Sequence, residues 1–171
     1  MDGLAKIALD IAKDIQAEIP QYLKPPAEGF NSETDQIIPL SYVRHTRGYI
    51  EKLANQINGC YEKGWFDACA VMMRHLCEVL IIEVYESKGM SANIKDGSGN
   101  YVMMDTLIKS ITSETSWTLN KVTRKYLPKI ADAGNLSAHG VRYNAHVADI
   151  DPLVTGLRVT VQDLLGLSGI K

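Results

Sequence analysis

Cysteine is scarce in this 171-residue chain, and the few cysteines present do not form a metal-binding or disulfide pattern. They are Cys60, Cys69 and Cys77, an odd number without a closely spaced CxxC pair. Structural zinc sites and disulfide frameworks depend on such spacings, so we predict three free thiols and no bound metal. Cys69 and Cys77 lie about two helical turns apart, and we expect both to face one apolar interior.

Long apolar runs are also missing. No stretch of about 18 apolar residues occurs, and the N-terminus lacks the apolar core and cleavage site of a signal peptide. The sequence therefore predicts a soluble, cytoplasmic protein that does not contact a membrane. The formal net charge of −2 argues against tight non-specific DNA binding, but it leaves room for a local basic site.

Several motifs of known catalytic and cofactor-binding sites are absent. The chain has no HExxH, no GxSxG, no GxGxxG and no P-loop. The glycines of KDGSGN, residues 95–100, lie in a polar loop that no apolar strand precedes. Metalloprotease, dinucleotide and P-loop chemistry are therefore poorly supported, and no cofactor is predicted.

Apolar residues instead recur every three or four positions, which is the period of an amphipathic helix. The strongest signal runs from Trp65 to Ser87, and its broad apolar surface is typical of a central core helix. Pro128 is expected to bend or break a later helix, or to begin a new one. Other helices are predicted at about residues 39–64, 103–113, 117–133 and 149–167. No segment alternates like a strand, so the fold class is predicted to be all-α, with five or six helices.

An amphipathic segment precedes this bundle. Pro20, Pro25 and Pro26 end it and begin a polar connector, so residues 1–38 are assigned to an extra N-terminal helix and linker, and residues 39–171 to the bundle. A short helix cannot bury an apolar stripe by itself, so this one is expected to pack on the bundle or on a partner protein. The stripe consists of Leu4, Ile7, Ala8, Ile11 and Ile15.

Two charged residues stand out in the central helix. Arg74 and Glu78 are four positions apart, with His75 beside the arginine, and apolar residues surround them. An exposed pair of this kind is an ordinary intrahelical salt bridge worth a few tenths of a kcal/mol. At the margin of an apolar helix, however, an unpaired charge is costly, so a structural pair and a functional pocket are both open interpretations.

The segment GNLSAHG, Gly134 to Gly140, carries an amide and an imidazole four residues apart. On a helix this spacing places Asn135 and His139 on one face. Histidine suits proton transfer near neutral pH, and asparagine can orient a substrate oxygen. In the simpler interpretation, Asn135 caps a helix, His139 is a core or surface histidine, and Gly140 ends the element.

The order of these motifs resembles that of the HEPN superfamily of prokaryotic all-α domains. More narrowly, it resembles the branch called domain of unknown function 4145, found alone or fused to restriction and other defence proteins. That branch reads R-x-x-x-E in its central helix and G-N-x-x-A-H-G later, which matches Arg74 to Glu78 and Gly134 to Gly140. The resemblance covers about residues 57–167.

This resemblance implies an up-and-down bundle that forms a homodimer with its motif helices at the interface. Many such domains are metal-independent ribonucleases with an R-x-x-x-x-H motif in which asparagine often follows the arginine. By this resemblance His139 matches the motif histidine and Asn135 the polar residue, but Gly134 stands where the arginine belongs.

Cleavage by a 2′-hydroxyl needs a proton shuttle and a cation at the phosphate. Arg74, Arg142 and Arg124 are candidates for that cation. We expect Arg74, Asn135 and His139 to be the reactive groups, and the rest of the pocket to consist of Glu78, Arg142, Gly134 and Gly140.

Two functions remain open on this basis. The first is a nucleotide- or RNA-binding or dimerisation module of a bacterial defence or RNA-related system, with a degenerate ribonuclease motif. In that case Asn135 and His139 could also serve as hydrogen-bond partners between helices. The alternative is an active metal-independent endoribonuclease that uses His139.

Overall fold

The computed structural model describes residues 37–170, and the regular structure in this range is helical. An isolated β-bridge between Lys95 and Tyr101 is the exception. The all-α prediction is confirmed. In chain order the elements are α1 (Leu40–Val43), α2 (Gly48–Glu62), α3 (Phe66–Ser87), a 3-10 turn (Ser91–Ile94), α4 (Met104–Ser113), α5 (Lys121–His139) and α6 (Val147–Ser168).

Helix α3 lies at the centre of the bundle, as its apolar sequence predicts. It packs against α2, α5 and α6, and α5 and α6 also pack on each other. Because α3 has neighbours on several sides, most of its length is buried. Its fully buried side chains include Met73, Leu76, Cys77, Leu80, Ile81 and Val84.

Successive long helices run in opposite directions. The start of α5 meets the end of α6, where the Asn120 N–H donates to Asp163 Oδ2 at 3.0 Å. Farther along α5, Tyr126 lies against Gly156 in the middle of α6. The end of α5 lies beside the first half of α3, where Gly134 approaches Ala70. The described helices therefore form a bundle of alternating direction.

The segment predicted as one helix at about 39–64 contains two. Between α1 and α2, His45 has a φ of 69°, in the left-handed region that non-glycine residues rarely adopt. Its N–H donates to Glu51 Oε1 at 2.7 Å, which supports the turn from within α2. The apolar periodicity of α2 is present, but this turn interrupts the helix before it.

Helix α5 is longer than predicted and continues through Pro128 to His139. A proline in a helix interior removes a hydrogen bond and costs about 3 kcal/mol. Here Leu127, Ile130 and Ala131 are buried around it, and their burial outweighs that cost. Asn120 caps the start of the helix, since its side chain accepts from the Val122 N–H at 2.8 Å.

Residues 1–36 lie outside the described part of the chain, and with them the predicted N-terminal helix and most of its linker. Ile37 and Ile38 are buried in the bundle. The Asn58 side chain bonds both the N–H and the carbonyl of Ile38, and Arg158 Nε donates to the Ile37 carbonyl at 2.9 Å. None of the helices between residues 37 and 170 has the length and apolar character needed to span a membrane.

The prediction that Cys69 and Cys77 face the interior is confirmed, since both are completely buried. All three cysteines are free thiols. Burial raises the pKa of Cys69 and of Cys77 to about 12, with the nearby Cys60 adding to the shift at Cys69. The two thiols act as small apolar core residues.

Candidate functional site

The two predicted motifs meet where α3 and α5 cross. A Cβ atom on Gly134 would lie 2.5 Å from Arg74 Cβ, 2.9 Å from Arg74 Cδ and 3.0 Å from the Ala70 carbonyl oxygen. Any side chain at position 134 would therefore clash with α3. The glycine lets the two helices approach closely, and the stem of Arg74 occupies the space that a side chain at 134 would need.

Arg74 is only loosely paired within the chain. Its Nη1 lies 3.8 Å from Glu78 Oε2, and His75 Nδ1 lies 3.8 Å from the same oxygen. These are ion-pair contacts beyond hydrogen-bond distance. The Arg74 side chain is 22% exposed, yet its Nε is buried and finds no acceptor among residues 37–170. The guanidinium therefore retains unused donors.

Asn135 and His139 lie one turn apart on α5, with Asn135 half-buried and His139 exposed in the last turn. Neither side chain makes a hydrogen bond or ion pair to the described residues. Within a single chain they therefore form no pair between the described helices, and pairing across a dimer interface stays a prediction. Asn135 is also not a cap, because it lies inside α5 rather than before a helix.

Helical register brings these residues to one side of the crossing. α3 and α5 are antiparallel and touch at Arg74 and Gly134, and each residue advances about 100° around a helix. Glu78 on α3 and Asn135 and His139 on α5 then border the same side of the contact. Arg74, Glu78, Asn135 and His139 therefore lie along one side of the contact, with Glu78 and His139 about 13 Å apart along the helix axes, because antiparallel helices carry them in opposite directions.

The turn after α5 explains Gly140 and fixes the position of Arg142. A Cβ on Gly140 would lie 2.5 Å from the Leu136 carbonyl oxygen, and its N–H donates to that oxygen at 2.8 Å. The prediction that Gly140 ends the helix is confirmed. The Tyr143 N–H donates to the Gly140 carbonyl at 3.3 Å, so exposed Arg142 lies in a tight turn just after His139.

The loop that contains Arg142 is anchored to the start of α3. The Ala145 N–H donates to Asp67 Oδ1 at 3.0 Å, and Asp149 accepts from the His146 N–H at 2.8 Å. Burial and the Asp149 and Asp67 carboxylates raise the pKa of the Tyr143 hydroxyl. These bonds hold the loop beside the end of α5.

Arg124, the third candidate cation, lies far from this surface. Its guanidinium donates to the carbonyls of Thr112 and Leu119. It is ten residues before Gly134 on α5, a distance of about 15 Å along the helix. Within one chain, Arg124 therefore braces the α4–α5 connection and does not reach His139.

An open cleft of about 300 Å³ lies elsewhere, between α2 and α6. The Tyr61 hydroxyl donates to Asp151 Oδ1 at 2.5 Å across it. Its lining residues are Ile37, Tyr61, Asp151, Val154, Thr155 and Arg158. None of these is a predicted site residue, so the motif residues do not line this cleft. In the described range, no cluster of three or more His, Cys, Asp or Glu side chains is arranged to hold a metal ion.

Two charged clusters of the structure were not predicted from the sequence. Buried Glu83 lies 2.9 Å from Arg47 Nε and accepts from the Tyr49 hydroxyl, which ties the start of α2 to α3. The sequence feature that could have predicted this first cluster is the single carboxylate of Glu83 within the apolar run VLIIEVY, residues 79–85. The other cluster is basic and lies on the first half of α5, where residues 121–129 read KVTRKYLPK.

Comparison with known proteins adds no relative. No family model matches the chain, and searches of curated proteins and of solved structures find no match. The functional conclusion therefore rests on the chain's own residues and on the resemblance of its two motifs.

Proposed function

We propose that this chain is a HEPN-like domain that binds RNA or a nucleotide at the surface formed by Arg74, Glu78, Asn135 and His139. In this proposal the ribonuclease motif is degenerate, and the domain acts by binding and by dimerisation within a bacterial defence or RNA-related system. A phosphate is the group held at the surface, and Arg74 is its main contact.

One observation carries the proposal: the Arg74 stem lies in the space left by Gly134. The R-x-x-x-x-H motif of ribonuclease members of the superfamily has an arginine at the position of Gly134, and this geometry supports Arg74 as the cation that replaces it from the neighbouring helix. A guanidinium suits the task because its planar donors match phosphate oxygens. The Arg74 side chain is 22% exposed, and its Nη1 makes only a 3.8 Å contact with Glu78, so the guanidinium keeps donors for a phosphate.

The state of His139 favours binding over cutting. A catalytic imidazole is usually held in one tautomer and orientation by a second hydrogen bond. His139 is exposed, and its side chain bonds none of the described residues. An imidazole without such a bond is a poorer proton shuttle, but it remains a competent polar contact to a ligand.

Cleavage is the alternative, and the contact of Arg74 with Gly134, inside the motif that carries His139, favours it. In that reaction the RNA 2′-oxygen would form a bond to phosphorus while the bond from phosphorus to the 5′-oxygen breaks. His139 would move the proton, and Arg74 would stabilise the charge on the phosphate. The products would be a 2′,3′-cyclic phosphate and a 5′-hydroxyl.

The test compares wild type with single variants for binding of a fluorescein-labelled single-stranded RNA in EDTA, measured by fluorescence anisotropy. Arg74→Gln is expected to weaken binding at least tenfold, because each charge-assisted hydrogen bond is worth about 1.5–3 kcal/mol. Arg44→Gln is the matched control, since Arg44 is exposed and lies on α2's side of the bundle, and it should change the Kd less than twofold.

The same samples, run on a denaturing gel, separate the two functions. Intact RNA with both wild type and His139→Ala supports a binding module. Cleavage that His139→Ala abolishes, with 2′,3′-cyclic phosphate ends, supports the ribonuclease. Unchanged RNA affinity in the Arg74→Gln, His139→Ala double variant would contradict the proposed site in either case.

A further inference from the structure

The first half of α5 carries a concentrated positive charge. Between Asn120 and Ala131 the sequence has four cations and no carboxylate, in a chain whose net charge is −2. All four side chains belong to exposed residues, and they point to the outer half of the helix. We call this surface the basic face; it consists of Lys121, Arg124, Lys125 and Lys129.

The charges of the basic face are not neutralised by the described residues. The ion pairs found among residues 37–170 involve Arg47, Arg74 and His75, so no lysine of the face has a carboxylate from this range within 4.0 Å. Arg124 donates only to backbone carbonyls, which leaves its charge unpaired as well. Such a row of like charges is kept at a cost in repulsion and attracts polyanions.

An aromatic ring organises two of these lysines. Lys125 Nζ lies 5.6 Å and Lys129 Nζ 5.5 Å from the Tyr126 ring centroid, within cation–π range. The ring is fixed in turn by α6, because a Cβ on Gly156 would lie only 2.1 Å from Tyr126 Cγ. Both ammonium groups thus lie against a packed ring.

The basic face and the motif surface lie along the same helix. Lys121, Lys125 and Lys129 follow one another at four-residue intervals, so they form a single row. His139 comes ten residues after Lys129, about 15 Å farther along α5, and on the same outer half. Asp132 is exposed between them and marks the end of the positive charge.

We infer that the basic face binds the backbone phosphates of a single-stranded RNA that runs along α5 and ends at the Arg74–His139 surface. This inference rests on the proposed function and adds the direction and the main electrostatic contact of the bound strand. Phosphate contacts of this kind give affinity without base specificity, because lysine reads only charge.

The experiment is an anisotropy titration of labelled single-stranded RNA from 50 to 200 mM salt. The test variant is Lys121→Gln, Lys125→Gln, Lys129→Gln, in which glutamine preserves helix propensity. Each lost phosphate contact on a single strand changes the slope of log K against log salt by about 0.7. Three contacts remove about 2 from the slope, which is a loss of about 100-fold in affinity near 0.1 M salt.

The matched control is Lys52→Gln, Lys63→Gln, Lys88→Gln. These three lysines are exposed and lie outside α5, and their substitution removes the same total charge as the test variant. Their variant should stay within threefold of wild type and keep its salt slope. Circular dichroism of both triple variants should match wild type, which excludes unfolding as the cause.

The outcomes separate this inference from the proposed function. Loss in the test triple alone supports the basic face. An equal loss of RNA affinity in both triple variants overturns the basic face. It is also overturned if the test triple keeps its affinity while Arg74→Gln still weakens binding. Either outcome leaves the proposed function standing. If wild type binds no RNA at 50 mM salt, both are overturned.

Discussion

A single methyl group added at Gly134 tests the close approach of α3 and α5 directly. In Gly134→Ala the new Cβ would lie 2.5 Å from Arg74 Cβ and 3.0 Å from the Ala70 carbonyl oxygen. Neither atom is the flexible end of a side chain, so the clash cannot be relieved by a rotamer change. The two helices must move apart, and α3 is packed on several sides.

Two opposing terms set the expected stability of Gly134→Ala. Overpacking of a close contact costs about 1–3 kcal/mol. Alanine returns about 0.5–1 kcal/mol, because glycine is the poorer helix former. We expect the free energy of unfolding to fall by about 1 kcal/mol, which lowers Tm by about 2–4 °C for a chain of this size.

Gly166→Ala isolates the steric term. Gly166 is exposed in α6, and a Cβ there would have no atom within 4 Å, so this variant shows only the propensity gain. The free energies of unfolding of the two variants, measured by thermal and urea unfolding, should differ from each other by about 1–3 kcal/mol. If Gly134→Ala is stabilised as much as Gly166→Ala, the helices do not approach as described, and the argument for Arg74 at the motif fails with it.

The remaining predictions concern buried groups in α3. Cys69 and Cys77 should not react with DTNB at pH 8 in the folded protein, because a pKa of about 12 leaves roughly one thiolate in ten thousand, and they should react after unfolding in urea. Since the raised pKa favours the neutral thiols, their contribution to stability is complete below pH 9 and is lost as the pH rises toward 12, so Tm should fall in that range. Arg47→Met should lower the free energy of unfolding by about 1–3 kcal/mol, because it removes the ion pair of buried Glu83. The control Arg44→Met, at an exposed position, should change the free energy of unfolding by less than about 0.5 kcal/mol. Equal effects of the two substitutions in urea melts would contradict the role of that ion pair.

The outcome at α5 shows how far local sequence can be taken. Pro128 and Gly134 are poor helix formers by propensity; the predicted helix covers about residues 117–133, with a bend, break or new start expected at Pro128. The helix continues through Pro128 because its face around Leu127 and Ile130 is buried, and past residue 133 it packs on α3 through buried Gly134. Burial of that face is a tertiary effect, which no local signal in residues 121–139 records.

The candidate site shows the same division. The Arg74–Glu78 pair follows from a spacing of four residues within one helix, and the shared face of Asn135 and His139 follows from the same rule. The contact of Arg74 with Gly134 joins two helices distant in sequence, so only the packing of α3 on α5 could reveal it. The basic face is intermediate between a feature of one helix and a contact between helices. Its lysines can be read from the sequence, but only the structure shows that they have no carboxylate partner among residues 37–170.

The sequence by itself determined the all-α class, the central position of α3 and the burial of its two cysteines, because helical periodicity and apolar content are local properties of the chain. The tertiary structure alone decided that α5 continues unbroken through Pro128, why position 134 is glycine and which arginine stands beside the GNLSAHG motif. The physical reason is that close packing between helices depends on which surfaces meet, and a missing Cβ has consequences only where another helix occupies its place.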